Sequence, residues 1–267
     1  MSIQTLYTAA TGMEALETKL DVIANNLANV NTTGFKRGRA NFEDLFYRHE
    51  KLPGSQDSAG NLTPTGISIG LGVAVSSIQT DHEQGAFQVT GNPLDVAIEG
   101  DGFFQVADTT GELLYTRAGN FSINANGQLV MGSASTGRLL QPPTAIPPDA
   151  TEIVISPEGI VSVRQPGVSA LSQVGQLQIG RFPNPEGLLK LGENLYAETD
   201  ASGTVTLGTP GQQGLGRLRQ TALEASNVNP VEELIDLITT QRSFELNSQC
   251  VQAGDQMLQL VANLRRF

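Results

Sequence analysis

A chain of 267 residues with 39% apolar content can bury one large core or two modest ones, and 27 acidic against 16 basic residues give it a net charge of −11. That balance disfavours a nucleic-acid partner, which selects a basic face. No apolar run reaches the roughly 18 to 20 residues that span a bilayer, the single Cys250 excludes an internal disulfide, and two histidines, His49 and His82, leave an enzyme little imidazole chemistry.

The N-terminal segment Met1 to Leu6 has no basic region, continuous apolar run or small-residue cleavage site, so no cleaved secretory signal is expected. From there Leu6, Ala9, Met13, Leu16, Leu20, Ile23, Leu27 and Val30 recur at alternating spacings of three and four, which predicts a helix from Ser2 or Ile3 to Asn31, on the order of 42 Å long, with a heptad seam. With Leu27 at an a position, Asn26 falls where it can hydrogen-bond to a neighbouring helix and Asn25 faces outward. Gly34 supplies the stop. Lys36, Arg37 and Arg39 read as a solvated cluster complementing the helix C-terminus. Phe35 to Phe46 fits a short helix or an extended lead-in equally well.

Tyr47 to Gly66 is polar and interrupted by Pro53, Gly54, Gly60 and Pro64. It is long for a loop, and reads either as a surface insertion or as an extended arm lying on another subunit. From Ile67 the period changes to two, as in Leu71-Val73-Val75 and Leu94-Val96-Ile98. Turn signals at Asn124–Gly127, Pro157–Gly159 and Asp200–Gly203 each predict a hairpin. Residues 67 to 216 are therefore expected to form a compact antiparallel β domain of eight to twelve strands.

The helical period returns at Asn229-Pro230-Val231-Glu232, with Asn as N-cap, Pro at the first helical position and Glu at N3. This helix runs to Leu264 or beyond. Its second half carries a seam of Leu246, Cys250, Ala253, Met257, Leu260, Leu264 and Phe267, and its first half a neighbouring seam of Leu234, Leu237, Gln241 and Phe244. Two adjacent seams imply more than one neighbour, and Cys250 within the pattern reads as a small buried hydrophobe. Eight seam residues of the first helix contribute on the order of 16 kcal/mol on burial, whereas ordering its residues costs about 1 to 2 kcal/mol each. Both helices are net acidic, so charge does not hold them together. They need further apolar neighbours, for which identical copies of the chain are the simplest source. The fold class is thus α+β, with long N- and C-terminal helices in a coiled-coil-like domain (1–45 with 217–267), an arm (46–66) and a central antiparallel all-β domain (67–216).

Chemistry is thin. Gly66 to Gly72 is no phosphate loop, since no Lys-Ser/Thr follows. Glu99-Gly100-Asp101-Gly102 reads as a tight turn rather than an acid/base pair, and Asn124–Gly127 lacks the acid that completes a calcium loop. No nucleophile triad and no metal cluster is present, so no catalytic, cofactor or metal residue is assigned.

Ala24 to Arg37 resembles the N-terminal signature of flagellar axial proteins, the rod and hook family. Ser226 to Leu234 followed by Thr240 to Ser248 resembles the C-terminal signature, and Leu94 to Val106 with Tyr115 to Phe121 the central one. Length and the 47–66 arm place the chain nearest the distal rod branch; proximal rod and hook proteins are the alternatives within the family. Phe244 stands where the family usually has Tyr, and Arg219-Gln220-Thr221-Ala222 departs from its glycine-containing lead.

The resemblance implies a subunit exported without a cleaved signal through the flagellar secretion system to the basal body in the periplasmic space. There it would polymerise helically into a hollow drive shaft and channel wall. Implied partners are further copies of the chain, proximal rod proteins, hook protein, the P-ring and L-ring bushing, the rod cap and the export apparatus, with no nucleic acid and no membrane embedding. The implied assembly interface comprises Leu6, Met13, Leu16, Leu20, Ile23, Asn25, Asn26, Leu27, Asn29, Val30, Asn31, Gly34 and Phe35. On the C-terminal side it comprises Asn227, Asn229, Leu234, Gln241, Arg242, Phe244, Asn247, Val251, Met257, Leu260 and Leu264. Two readings from other classes are a helix-oligomerised β-rich module binding cell-wall glycan, disfavoured by 5% aromatics and no Trp, and a wall-cleaving amidase or muramidase, for which Glu99 is the candidate carboxylate.

Overall fold

The computed structural model describes residues 3–54, 56, 62, 64–108, 110–132, 137–167 and 170–264. They group into two compact units, one of residues 1–28, 38–80 and 229–267, the other of 29–37 and 81–228.

In the first unit α1 (Ile3–Ala28) is followed by β1 (Gly38–Asp44), β2 (Tyr47–Lys51), β3 (Ile67–Gly70) and β4 (Val73–Thr80), and α2 (Pro230–Leu264) closes the chain. α1 packs along α2. Asn26 Nδ2 donates to Glu233 Oε2 at 3.2 Å, and a Cβ on Gly12 would lie 3.1 Å from Asn247 Nδ2. In both contacts the residue numbers sum to 259, so the helices run antiparallel in a single register over two heptads. α2 starts as the sequence predicts: Asn229 Oδ1 accepts from Val231 N at 3.2 Å, and Pro230 occupies the first turn, where a missing N–H costs nothing. β1 pairs with β4 from Gly38↔Thr80 to Asp44↔Val73, with a bulge at Asn41/Phe42, and β2 pairs with β3 from Tyr47↔Gly70 to Lys51↔Ile67. The lead-in after Phe35 is therefore a strand, and the arm begins as a paired hairpin. Residues 67–80, whose alternation assigns them to the central β region, group instead with the helices because their pairing partners are β1 and β2.

The second unit contains β5 (Phe87–Val89), β6 (Val96–Glu99), β7 (Phe103–Ala107), β8 (Leu113–Thr116), β9 (Phe121–Ile123), β10 (Leu129–Met131), β11 (Leu139–Gln141) and β12 (Glu152–Ile155). It continues with β13 (Ile160–Arg164), β14 (Ser172–Gln176), β15 (Ile179–Arg181), β16 (Leu189–Gly192), β17 (Leu195–Ala197), β18 (Thr206–Gly208), β19 (Arg217–Gln220) and β20 (Ala222–Glu224). The main sheet runs β16-β17-β8-β7-β11-β10-β9, with β15 on β7 and β18 on β15. β12-β13-β14 form a second sheet, and β19-β6 and β20-β5 are pairs. Every pairing is antiparallel. Sixteen strands, β3 to β18, fall between 67 and 216 instead of eight to twelve, because three-residue strands are too short to display a period.

β7 shows how the core is divided. Phe104 and Val106 point into the main cluster with Val96, Ile98 and Ile179, while Phe103 on the opposite face joins Tyr115, Phe182, Leu188 and Tyr196. A strand covered on both faces loses the apolar/polar alternation, and Phe103–Ala107 is apolar at every position but Gln105. The hairpins at Asn124–Gly127 and Pro157–Gly159 form as expected. Asp200–Gly203 turns the chain but joins no hairpin, since β18 pairs with β15 rather than β17. Its turn is closed by Ser202 Oγ donating to Thr199 O at 2.8 Å.

Candidate functional site: chain-end knots and the open helix face

The N-terminal helix stops at Ala28, three residues before its expected end. Thr32 N turns back onto Asn29 O at 3.1 Å and Phe35 N onto Thr32 O at 3.2 Å. Gly34 then takes φ +68°, donates its N–H to Glu224 O at 2.8 Å, and lies so close to the backbone of Arg117 and Ala118 that a Cβ would sit 2.9 Å away. Only glycine satisfies both demands, which adds a second reason to the helix stop read from sequence.

Two residues later Lys36 is 2% exposed. It is not part of a solvated cluster: Nζ donates to Glu224 Oε1 at 2.8 Å and to Glu83 O at 2.6 Å. Glu224 Oε1 also accepts from Gly85 N at 3.0 Å, and Oε2 accepts Arg117 Nε at 2.5 Å. The rest of the Arg117 guanidinium is taken up by the carbonyls of Ile98, Gly100 and Gly102. The Glu99–Gly102 turn thus serves as a carbonyl cradle for a buried arginine, while Glu99 itself is exposed. One carboxylate binds residues from two of the stretches that carry the family resemblance, Lys36 of the N-terminal one and Arg117 of the central one.

Burial alone pushes the Glu224 carboxyl up, but Arg117 and Lys36 outweigh it and hold it below the usual carboxylate value. Burial lowers the Lys36 ammonium, with Glu224 opposing. His82 stacks edge-on with Phe103 at 5.8 Å between ring centres; burial and the nearby Lys36, Lys190 and Arg117 push its pKa down to about 4. Its Nδ1 is buried with no hydrogen-bond partner. A cavity of about 250 Å³ adjoins these groups, lined by Lys36, His82, Arg117, Arg181 and Phe103.

A second tie lies three residues beyond Glu224's strand. Asn227 Oδ1 accepts from Arg37 N at 2.8 Å, and its Nδ2 donates to Asp81 O at 3.0 Å and Glu83 O at 3.2 Å. In the helical unit Asn26, 2% exposed, exchanges two hydrogen bonds with Gly38, N to Oδ1 and Nδ2 to O, both 2.9 Å, besides its bond to Glu233. This amide behaves as an extra rung on β1.

The covered face of α2 is formed by Glu233, Leu237, Thr240, Phe244, Asn247, Val251 and Gly254, spaced alternately four and three. Half of that seam is polar, which hid it from a reading of apolar periodicity. The apolar residues that sequence spacing favours turn outward instead: Leu234, Leu246, Met257 and Leu260 are exposed, as are Val231, Ile235, Ile238 and Leu258. Cys250 is also exposed, not a buried hydrophobe. Of the expected interface residues, Ile23, Asn26 and Gly34 are buried. Leu6, Met13, Leu16, Leu20, Leu27, Asn29, Val30, Phe35, Asn227, Phe244, Asn247 and Val251 are half-buried; Asn25, Asn31, Asn229, Gln241 and Arg242 are exposed. The side chain of Leu264 lies outside the described residues.

Missed from sequence were Arg117, Glu224, Glu233 and Gln220. The available signal was alternation: Ala222 and Glu224 share a strand face, so a buried Ala222 requires a buried, and hence paired, Glu224.

An α+β chain whose terminal helices pair antiparallel, and whose second unit is cross-tied by the buried charges of Lys36, Arg117 and Glu224, has the build of a structural subunit. Comparison with known proteins specifies it further. A family model described as flagella basal body rod protein matches residues 6–36, the flagellar hook protein FlgE/F/G D1 domain matches 97–163, and the flagellar basal body rod FlgEFG protein C-terminal region matches 219–264. Flagellar basal-body rod protein FlgG of Caulobacter vibrioides is 47% identical over 264 residues, covering 98% of this chain and 100% of that protein. FlgG of Buchnera aphidicola (subsp. Baizongia pistaciae) is 45% identical over 262 residues, covering 98% and 100%, and FlgG of Bacillus subtilis is 39% identical over 267 residues, covering 99% and 100%. The chain belongs to the flagellar basal-body rod protein family.

Proposed function

We propose that the chain is a structural subunit of the distal rod, assembling helically with copies of itself into a tube that carries torque and encloses the export path. The observation that carries this reading is the second seam of α2. One face, from Glu233 to Gly254, is used inside the chain; the other, with Leu246, Cys250, Ala253, Met257 and Leu260, has no partner in the monomer, and Leu260 is 64% exposed. Covering each large apolar side chain on that face contributes about 2 kcal/mol. Three such residues per copy, Leu246, Met257 and Leu260, repeated around a tube as a coiled-coil-like packing, supply the neighbours that the helix pair lacks.

Within this reading the subunit resides in the periplasmic basal body, reaches it through the flagellar export apparatus, and abuts proximal rod, hook and the bushing rings. The test is Leu246→Asp and Leu260→Asp in the full chain, followed by electron microscopy at high concentration for tubes with a central channel. The expected result is loss of tubes with an unchanged melting temperature. Persistent tubes would remove this face from the assembly contact, and a lowered melting temperature would return it to the intrachain core.

A further inference from the structure

Among the described residues β12 forms a ladder only with β13; β19 lies close to its other edge without pairing, and the backbone groups on that edge are nonetheless occupied. β12 pairs with β13 through Glu152↔Arg164 to Ile155↔Val161, and the alternation of that ladder turns Ile153 O and Ile155 N away from it. The Gln220 carboxamide meets both: Oε1 accepts from Ile155 N at 3.0 Å, and Nε2 donates to Ile153 O at 2.9 Å and to Pro93 O at 2.8 Å. An O(i), N(i+2) pair is what an added parallel strand would bind through one residue's N–H and C=O. Farther along the same edge Leu218 N takes Pro157 O at 3.0 Å. The start of this edge borders a groove of about 370 Å³ lined by Pro93, Glu152, Val154, Gln220 and Thr221.

One free edge of the main sheet, β16, is blunted by other means: it carries a bulge between Lys190 and Gly192 and presents a lysine. β12, with Ile153, Val154 and Ile155 in sequence and one charge at its start, has neither device.

We propose that Gln220 is an edge guard: its side chain takes the place of a neighbouring strand's peptide group on β12 and so prevents β12 of one copy from adding to the sheet of another. The proposal rests on the rod reading only in that crowding of copies makes such a guard necessary. The guard acts on each chain separately.

The test compares Gln220→Leu and Gln220→Glu in the full chain carrying Leu260→Asp, so that assembly through the helices and pairing through the sheet edge are read apart. Both substitutions remove the donors to Ile153 O and Pro93 O, and both are expected to lower the melting temperature. The leucine variant, held well below its melting temperature, is expected to form thioflavin-positive aggregates, and hydrogen exchange at the Ile155 amide should accelerate at least tenfold. The glutamate variant is expected to stay monodisperse, because a charge on the edge is itself a guard. Aggregation of both variants to the same extent would mean that it follows lost stability and would overturn the proposal; so would a leucine variant as monodisperse as its parent. Tubes formed by the Leu260→Asp parent would count against the helix-face contact and leave the Gln220 comparison legible.

Discussion

Replacing Glu224 by Gln keeps the shape of the side chain and removes its charge, leaving Lys36 and Arg117 buried opposite a neutral amide. Arg117 retains its carbonyl partners and Lys36 retains Glu83 O, so hydrogen bonding survives in part while charge compensation is lost. Breaking a buried ion pair from one side costs about 3–5 kcal/mol. For a unit of this size 1 kcal/mol moves the midpoint by about 2–4 °C, so the β-unit transition should fall by roughly 6–20 °C. Thermal unfolding followed by near-ultraviolet circular dichroism, which reports the Tyr115 and Tyr196 cluster, isolates that unit from the helices. The same measurement on Lys36→Met, and on the double variant, should show the two losses to be less than additive, because Lys36→Met removes one of the stranded cations. A loss below about 1 kcal/mol in Glu224→Gln, or strict additivity, would refute the account of Glu224 as the charge that holds Lys36 and Arg117 together.

His82 has a folded pKa of about 4 against 6.5 when free, so its contribution is fully present above pH 6.5 and is lost as pH falls from 6.5 towards 4. At about 1.4 kcal/mol per pH unit the loss is of order 3 kcal/mol. Glu224, whose folded pKa is lowered, adds a loss in the same direction at pH values below its unfolded value of 4.5. Melting temperature against pH should therefore slope downward below pH 6.5 in the wild type and be flatter in His82→Phe; equal slopes would remove His82 from the account. Thr221, a β-branched residue at φ +60°, holds a conformation that favours glycine, and Thr221→Gly should raise stability by about 1 kcal/mol, read from denaturant midpoints.

What sequence reasoning resolved and what it did not divide along a physical line. Asn229-Pro230, Gly127 and Gly159 were legible because a cap or a turn is chosen by residues within four positions of one another. The α1 seam was legible because Ile23 and its neighbours are apolar. The α2 seam that meets it was not, because Glu233 and Thr240 reach burial through hydrogen bonds, Asn247 is polar and only half-buried, and Gly254 is covered through the absence of a side chain rather than through hydrophobicity. Lys36 was misread for a related reason: its neighbours Arg37 and Arg39 make it look solvated, while the carboxylate that buries it lies 188 positions away.

The distances along the chain at which these ties close bear on how the subunit comes into being. Gly34 and Lys36 find their partner at Glu224, and Asn26 finds Glu233, 207 positions on. In a chain that emerged N-terminus first, α1 could meet β1 early, through Asn26 and Gly38, but Asn26 would lack Glu233, and Gly34 and Lys36 would lack Glu224, until more than four-fifths of it had emerged. Loop closure on that scale is slow compared with helix or hairpin formation. The ties between the two ends of the chain would therefore be the last to close, once the C-terminal segment had arrived.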